Sequence, residues 1–437
     1  MSLTPDAVFL APDVVSLAHN VVSLTPDVGC RGRRPRATML ANSVRLEVAV
    51  DLSLTDEQRA VQQLARDFVD REVVPNVKEW DRAEQVDIGI VKQLAELGFL
   101  GLTVPEEYGG SGGDHLSYCL VMEEFGRGDT AIRGIVSVSL GLVTKQIVKY
   151  GTEEQKRHWV PRLCSGESLG CFGLTEPGTG SDAANLTTRA VRDGDDWVIT
   201  GQKMFITNGT WADVALIFAR TDGPGPKGVT AFLVPTDAEG FSRSEIKGKL
   251  GLRGQATAEL TLDGVRVPDS ARLGERGQGF NIAMFALDKG RMAVAAGCVG
   301  LARAALEASV NYAKEREQFG KPIASFQLVQ EMLADMAVEA DAARLLVWRV
   351  ADHIERGEKF KTEASMAKLY ASEAAVKASN LAIQVFGGYG YIDEYPVSKF
   401  LRDARVLTLY EGTTQVQKLL IGRSLTGINA FNQEDRT

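Results

Sequence analysis

Apolar residues return every three or four positions from Val61 through Leu64 to Phe68 and Val69, the spacing that turns one face of a helix toward a core. Thr55, with Gln58 three positions on, supplies a capping-box start for that helix. Helical patterning continues to about Gly166. Between Gly170 and about Leu273 the period changes to short β-branched and aromatic runs: 197–200, 215–218, 229–234 and 258–262. Turn residues separate them at Asp193-Gly194, Asn208-Gly209, 223–226 and Asp263-Gly264. Strands so close together, with no helical pattern between them, predict an antiparallel sheet or barrel and not a parallel βαβ sheet. From Phe280 helical spacing returns, and Leu328, Met332, Met336, Ala340, Ala343, Val347 and Val350 trace one apolar stripe at bundle spacing. The expected class is α+β and multidomain. A disordered leader with no packed domain is expected over 1–50, then a helical domain over 51–169, an antiparallel β-barrel domain over 170–275, a helical bundle over 276–428, and a short tail over 429–437.

The leader repeats itself (Ser2 to Asp6, Val22 to Asp27) and then carries Arg31, Arg33, Arg34 and Arg36. Acidic residues at 6, 13 and 27, and the absence of an apolar core after the arginines, argue against a transit or twin-arginine signal. Met39 is an alternative start. With 44% hydrophobic and 24% charged residues, composition is that of an ordinary globular protein, and no run approaches a membrane span, so a cytoplasmic location without membrane insertion is expected. A net charge of −8 with scattered Lys and Arg removes nucleic acid as a partner. Five cysteines, with neither a Cys-x-x-Cys pair nor a neighbouring His cluster, fit free thiols and no metal site.

One carboxylate stands out. Glu411 follows a helically spaced stretch, Gly412 breaks it, and Thr414 with Gln417 fits the capping box of a further helix. A carboxylate on such a corner, flanked by Leu409 and Tyr410, can be partly desolvated and so become a better base near neutral pH, although taken alone an exposed helix-end glutamate is the plainer reading. Upstream, Phe172-Gly173-Leu174-Thr175-Glu176-Pro177-Gly178-Thr179-Gly180-Ser181 offers glycines that let a ligand approach and hydroxyls that can bond it; taken alone it reads more readily as a surface turn. Phe205, by its alternation with Ile199 and Ile206, is as readily a core strand residue as a stacking face. Arg316 is by default a solvated helix charge, the glycines at 387 and 388 a helix stop, and Asp288 with Arg291 an ordinary i, i+3 pair.

Taken together, these blocks resemble the acyl-CoA dehydrogenase family over roughly residues 52–428. The order and spacing of the Gly170–Asp182 and Phe205–Gly209 segments, Arg316–Gly320, Gln384–Gly388 and the Tyr410–Thr413 corner carry the likeness. The resemblance implies a three-domain fold ending in a four-helix bundle, and FAD-dependent dehydrogenation of an acyl-CoA to a trans-2-enoyl-CoA, with Glu411 as base and an electron transfer flavoprotein as acceptor. It implies that Phe172, Gly173, Leu174, Thr175, Gly180, Ser181, Phe205, Ile206 and Thr207 lie along the flavin, with Phe205 in place of the family's commoner Trp. Arg316, Phe319, Gln327, Gln384, Val385, Phe386, Gly387, Gly388, Thr413 and Gln415 would contact FAD, the arginine and the two glycines reaching a neighbouring subunit's cofactor in a homotetramer. Ser181, Asp288, Arg291 and Gly412 would meet the acyl-CoA, and Gly290 stands where some branches carry the base. An oxidase relative is disfavoured by length. A glutaryl-CoA dehydrogenase is the alternative, with Arg133 on the distal carboxylate, although Gly126 and Gly134 replace an expected glutamate and serine. A non-enzymatic flavin-binding relative is the third reading, opposed by the retention of Glu411.

Overall fold

The computed structural model of the chain describes residues 52–431. The expected leader, Cys30 and residues 432–437 lie outside that range. Thr55 caps α1 (Asp56–Phe68) as expected: its hydroxyl accepts the Gln58 N–H while the Gln58 side chain accepts the Thr55 N–H. Ala65 and Phe68 are buried, whereas Leu64 faces outward, so the buried face is narrower than the pattern suggested. There follow α2 (Val77–Ala83), α3 (Gly89–Glu96), α4 (His115–Gly128), α5 (Thr130–Val136), α6 (Lys145–Tyr150) and α7 (Glu153–Cys164). A wide π-helical stretch, Ser137–Thr144, joins α5 to α6 into one rod.

The strands are β1 (Gly170–Gly173), β2 (Arg189–Asp193), β3 (Asp196–Thr207), β4 (Val214–Arg220), β5 (Val229–Pro235), β6 (Phe241–Glu245), β7 (Thr257–Pro268) and β8 (Arg272–Leu273). They pair in the order β6-β7-β3-β2-β4-β5-β8, a path that runs open from β6 to β8. Most neighbours are antiparallel, while β1 and β2 run parallel to β4. Asp263-Gly264, expected to be a turn between strands, lies inside β7. There Gly264 adopts φ 68° and the pair opposes Thr200 of β3 as a bulge, so the strand continues past it.

The third layer is helical: α8 (Gly279–Glu315), a small hairpin of β9 (Glu317–Gln318) and β10 (Lys321–Pro322), then α9 (Gln327–Glu355), α10 (Lys361–Phe386), α11 (Val397–Leu407) and α12 (Thr414–Thr426). Along α9, Met336, Ala340, Ala343, Val347 and Val350 are buried, but Leu328 is 73% exposed because only the later turns lie under neighbouring helices. Between α4 and α8 the backbones touch: a Cβ at Gly126 would stand 2.2 Å from the Gly297 carbonyl oxygen, and one at Gly300 would meet the Glu123 carbonyl. Only glycine permits that approach. The expectation that no run is apolar enough to span a membrane needs correction. Residues 130–150 and α8 meet that length and composition, but they are inner helices, with 89% and 72% of their most apolar windows buried inside the fold. Cys119, Cys164, Cys171 and Cys298 are buried free thiols.

Candidate active site

Helix α11 ends at Leu407 and α12 begins at Thr414, and the chain reverses between them through two left-handed residues, Glu411 at φ 51° and Gly412 at φ 94°. A non-glycine residue held there is strained by roughly 1–2 kcal/mol. The helix cap is Thr413, whose hydroxyl accepts the Val416 N–H at 3.2 Å, not Thr414 with Gln417. Because the helix starts one residue earlier than the pattern implied, both side chains are released for other work. Thr414 donates to Glu373 at 2.5 Å, and the Gln417 amide donates to the Glu411 and Gly412 carbonyls at 3.0 and 3.1 Å. Leu409, expected beside the carboxylate, is largely exposed, so Tyr410 flanks it alone.

The Glu411 carboxylate turns inward, its Oε2 buried and, among the described residues, without a hydrogen-bond partner. It lies against the α8 backbone, where a Cβ on Gly290 would stand 2.2 Å from Oε2. Burial raises its pKa above the ordinary carboxylate value, and Arg133, Arg291 and Lys368, in that order, pull it back. The result is a carboxylate that ionises reluctantly within a ring of cations. Leu142, Val138, Ala286 and the partly buried Phe172 form an apolar cluster at this side of α8. Arg291 bonds Asp288 at 2.6 Å and reaches the Glu411 carbonyl at 3.4 Å, and Asp288 also meets Lys361 at 3.3 Å. Arg133 is 2% exposed; it donates to Ser137 at 3.0 Å and to the Tyr410 hydroxyl at 2.5 Å, leaving its buried Nε without a partner.

Toward the sheet, the Thr175 carbonyl accepts the Met204 N–H at 2.9 Å, which joins the glycine-rich segment to β3. At that point β3 bulges, because Met204 and Phe205 together oppose one residue of β7. The bulge puts Phe205 at φ 62° and leaves it 63% exposed, so the core-strand reading of Phe205 is overturned while Ile206 is buried. Thr207 donates to Gln255 at 3.4 Å. A Cβ at Gly178 or Gly180 would meet nothing within 4 Å, and Ser181 is exposed, so this edge is open for a ligand to lie along. Lys203, fully buried, fixes it from behind: its ammonium donates to Glu176 at 2.9 Å, to the Phe218 carbonyl at 2.7 Å and to the Leu174 carbonyl at 3.3 Å. Glu176 also accepts from Thr187 and Thr188. Burial brings the Lys203 pKa down to about 8, and the Lys203 charge with the threonine hydrogen bonds outweighs burial to bring Glu176 to about 2.

Other predicted residues gather elsewhere. Arg316, Val385, Phe386, Gly387 and Gly388 line a cavity of about 490 Å³, with the Arg316 guanidinium 5.6 Å from the Tyr389 ring centre. Phe319, at φ 52° in the β9–β10 turn, is 93% exposed, and Gln327 and Gln384 are exposed too; Gln415, also exposed, lies in the first turn of α12 beside the Glu411 corner. Gly290 and Arg316 are 26 residues apart along and just past α8, about 39 Å at 1.5 Å per residue. The structure therefore separates the predicted residues into two groups.

Lys368, Lys203 and the true role of Gln417 were not read from the sequence. A single lysine on the alanine-rich face from Ala364 to Ala375 was the available signal for Lys368.

Three family descriptions match the chain in order: the acyl-CoA dehydrogenase N-terminal domain over 55–167, middle domain over 171–265 and C-terminal domain over 277–426. An acyl-CoA dehydrogenase of Bacillus subtilis is 44% identical over 86% of this chain and 100% of its own length. The human mitochondrial short-chain specific acyl-CoA dehydrogenase is 43% identical over 86% and 91%. Among solved structures, the butyryl-CoA dehydrogenase of Megasphaera elsdenii superposes with a TM-score of 0.85 at 41% identity, over 86% of this chain and 100% of that one. A glutaryl-CoA dehydrogenase of Mycobacterium smegmatis gives 0.83 at 40%, over 87% and 97%. With helical, β and helical layers in the matching order, the chain belongs to the acyl-CoA dehydrogenase family, oxidoreductases that use FAD.

Proposed function

We propose that the protein removes the α-proton of a short, straight acyl-CoA with Glu411 and yields the trans-2-enoyl-CoA, its electrons leaving to an electron transfer flavoprotein. The observation that carries this is the buried Glu411 Oε2, which has no hydrogen-bond partner among the described residues. Raised by burial, its pKa suits proton abstraction nearer neutrality than an exposed glutamate's would. Arg133, Arg291 and Lys368 favour the ionised form of the base. The residues present fit a flavin: Phe205 is held out on its bulge for stacking, and the edge from Gly178 to Ser181 is unfilled. Bound FAD supplies the acceptor for the β-hydride. Phe172, Val138, Leu142 and Ala286 give the acyl chain an apolar wall that excludes water.

The 39 Å between the groups, estimated from the helix rise, is the support for the neighbouring-subunit reading of Arg316, Gly387 and Gly388. Exposed Phe319, Leu328 and Tyr391 near that end suit an interface in a tetramer. A glutaryl-CoA reading retains one favourable observation, the unpartnered Arg133 Nε. Against it, Gly126 is a glycine that packing demands, since a Cβ there would overlap the α8 backbone, whereas at Gly134 a Cβ would meet only the movable end of the Gln255 side chain. The glutamate of that reading has no room at 126.

Glu411→Gln is the test. Acyl-CoA binding and FAD content stay, while anaerobic flavin bleaching slows by on the order of a hundred- to ten-thousand-fold. Bleaching within threefold of wild type removes Glu411 as the base, and a panel of straight acyl-CoAs with glutaryl-CoA identifies the substrate.

A further inference from the structure

The left-handed corner that presents Glu411 is closed by one backbone bond, Thr414 N–H to the Thr408 carbonyl at 3.0 Å, and its own two carbonyls are held from outside. Its two carbonyls are gripped by three buried donors from three helices: Lys368 Nζ of α10 to the Gly412 oxygen at 2.8 Å, Gln417 Nε2 of α12 to both oxygens, and Arg291 Nε of α8 to the Glu411 oxygen at 3.4 Å. Lys368 and Gln417 have no measurable exposure. Among the described residues, Lys368 makes no ion pair with a carboxylate and no other hydrogen bond. Burying an ammonium on one peptide oxygen costs stability unless its charge serves a neighbour. The neighbour is Glu411.

We infer that Lys368 is a positioning residue for the base, its ammonium and the Gln417 amide holding the Glu411–Gly412 peptide in the turn that aims the Glu411 carboxylate at the substrate. The inference rests on Glu411 being the base. Two parts of the role are separable. As a donor, Lys368 holds the peptide against relaxation of its strained φ; as a cation, it favours the ionised carboxylate. The groups facing Glu411 are Arg133 from α5, Arg291 from α8 and Lys368 from α10, with Tyr118 of α4, Cys298 of α8 and adjacent Tyr410 within electrostatic reach. Lys368 is faced in turn by Cys298, Glu411, Arg291 and Glu373, and burial lowers its own pKa to about 8.

Lys368→Met and Lys368→Gln in the FAD-loaded enzyme separate the parts. With Met, kcat falls tenfold or more while KM changes less than threefold, and the rising limb of the kcat pH profile moves upward, because Glu411 loses a cation that held its pKa down. With Gln, a neutral donor recovers part of kcat and leaves the limb displaced. Wild-type kcat and an unmoved limb in both would overturn the inference. Gln417→Leu covers the case in which neither lysine variant folds: it removes two bonds to the same carbonyls without touching a charge, lowers kcat several-fold and leaves the limb in place. Wild-type kcat in that variant would overturn the clamp. Failure of the base assignment reads differently, as activity retained in Glu411→Gln.

Discussion

Gly290→Ala adds one methyl group, and its effect follows from two distances. The new Cβ stands 2.2 Å from Glu411 Oε2 and 2.9 Å from Leu142 Cδ2. The leucine methyl can rotate away; the carboxylate sits at the end of a clamped corner and must retreat by about 1 Å to reach contact distance. Misplacement of that size in a reacting group costs on the order of a hundredfold in rate. Stability moves the other way, since alanine within a helix gains roughly 0.5–1 kcal/mol over glycine, offsetting the local repacking. The variant is therefore expected to unfold within a few degrees of wild type, hold FAD, bind acyl-CoA, and bleach its flavin about a hundredfold more slowly in anaerobic stopped flow. A bleaching rate within threefold of wild type would show that the carboxylate tolerates displacement and that contact with Gly290 does not define its working position.

Phe205→Gly should raise the melting temperature slightly, because it relieves a left-handed non-glycine worth about 1 kcal/mol, yet weaken FAD retention on gel filtration; unchanged retention would mean that the exposed ring does not stack on the cofactor. Glu176 is held at about 2 against an ordinary 4.5, so the stability it contributes is present above 4.5 and disappears as pH falls toward about 2. Lys203→Met should cost about 3–5 kcal/mol by leaving that carboxylate buried without its cation, and should move the acid unfolding midpoint upward; urea titrations at several pH values check both. Arg133→Gln should change KM for butyryl-CoA and glutaryl-CoA alike if Arg133 serves Tyr410 and Glu411, whereas a loss confined to glutaryl-CoA would favour the dicarboxylate reading.

What the sequence made legible was what periodicity and punctuation encode. The strand runs at 197, 215, 229 and 258, the Thr55 cap and the corner at Glu411 all stand where local chemistry put them. Local rules failed where a distant residue decides the outcome. Asp263-Gly264 has the composition of a turn, but pairing with β3 carries the strand through as a bulge. Phe205 alternates like a core residue, and only the extra residue opposite β7 turns it outward. Lys368 in its own helix is one polar residue among alanines; its meaning comes from a carbonyl 44 positions away. Gly126 and Gly297 lie 171 positions apart, and nothing in either neighbourhood announces that their backbones meet.

The length of α8 has a genetic consequence. Under the two-chain reading, the arginine at its far end serves a partner's bed while the base at its near end serves its own. Two inactive alleles, Glu411→Gln in one copy and Arg316→Ala in the other, then complement when co-expressed. The bed that takes Glu411 from the second chain and Arg316 from the first is whole, and turnover reappears in a mixture of subunits neither of which works alone.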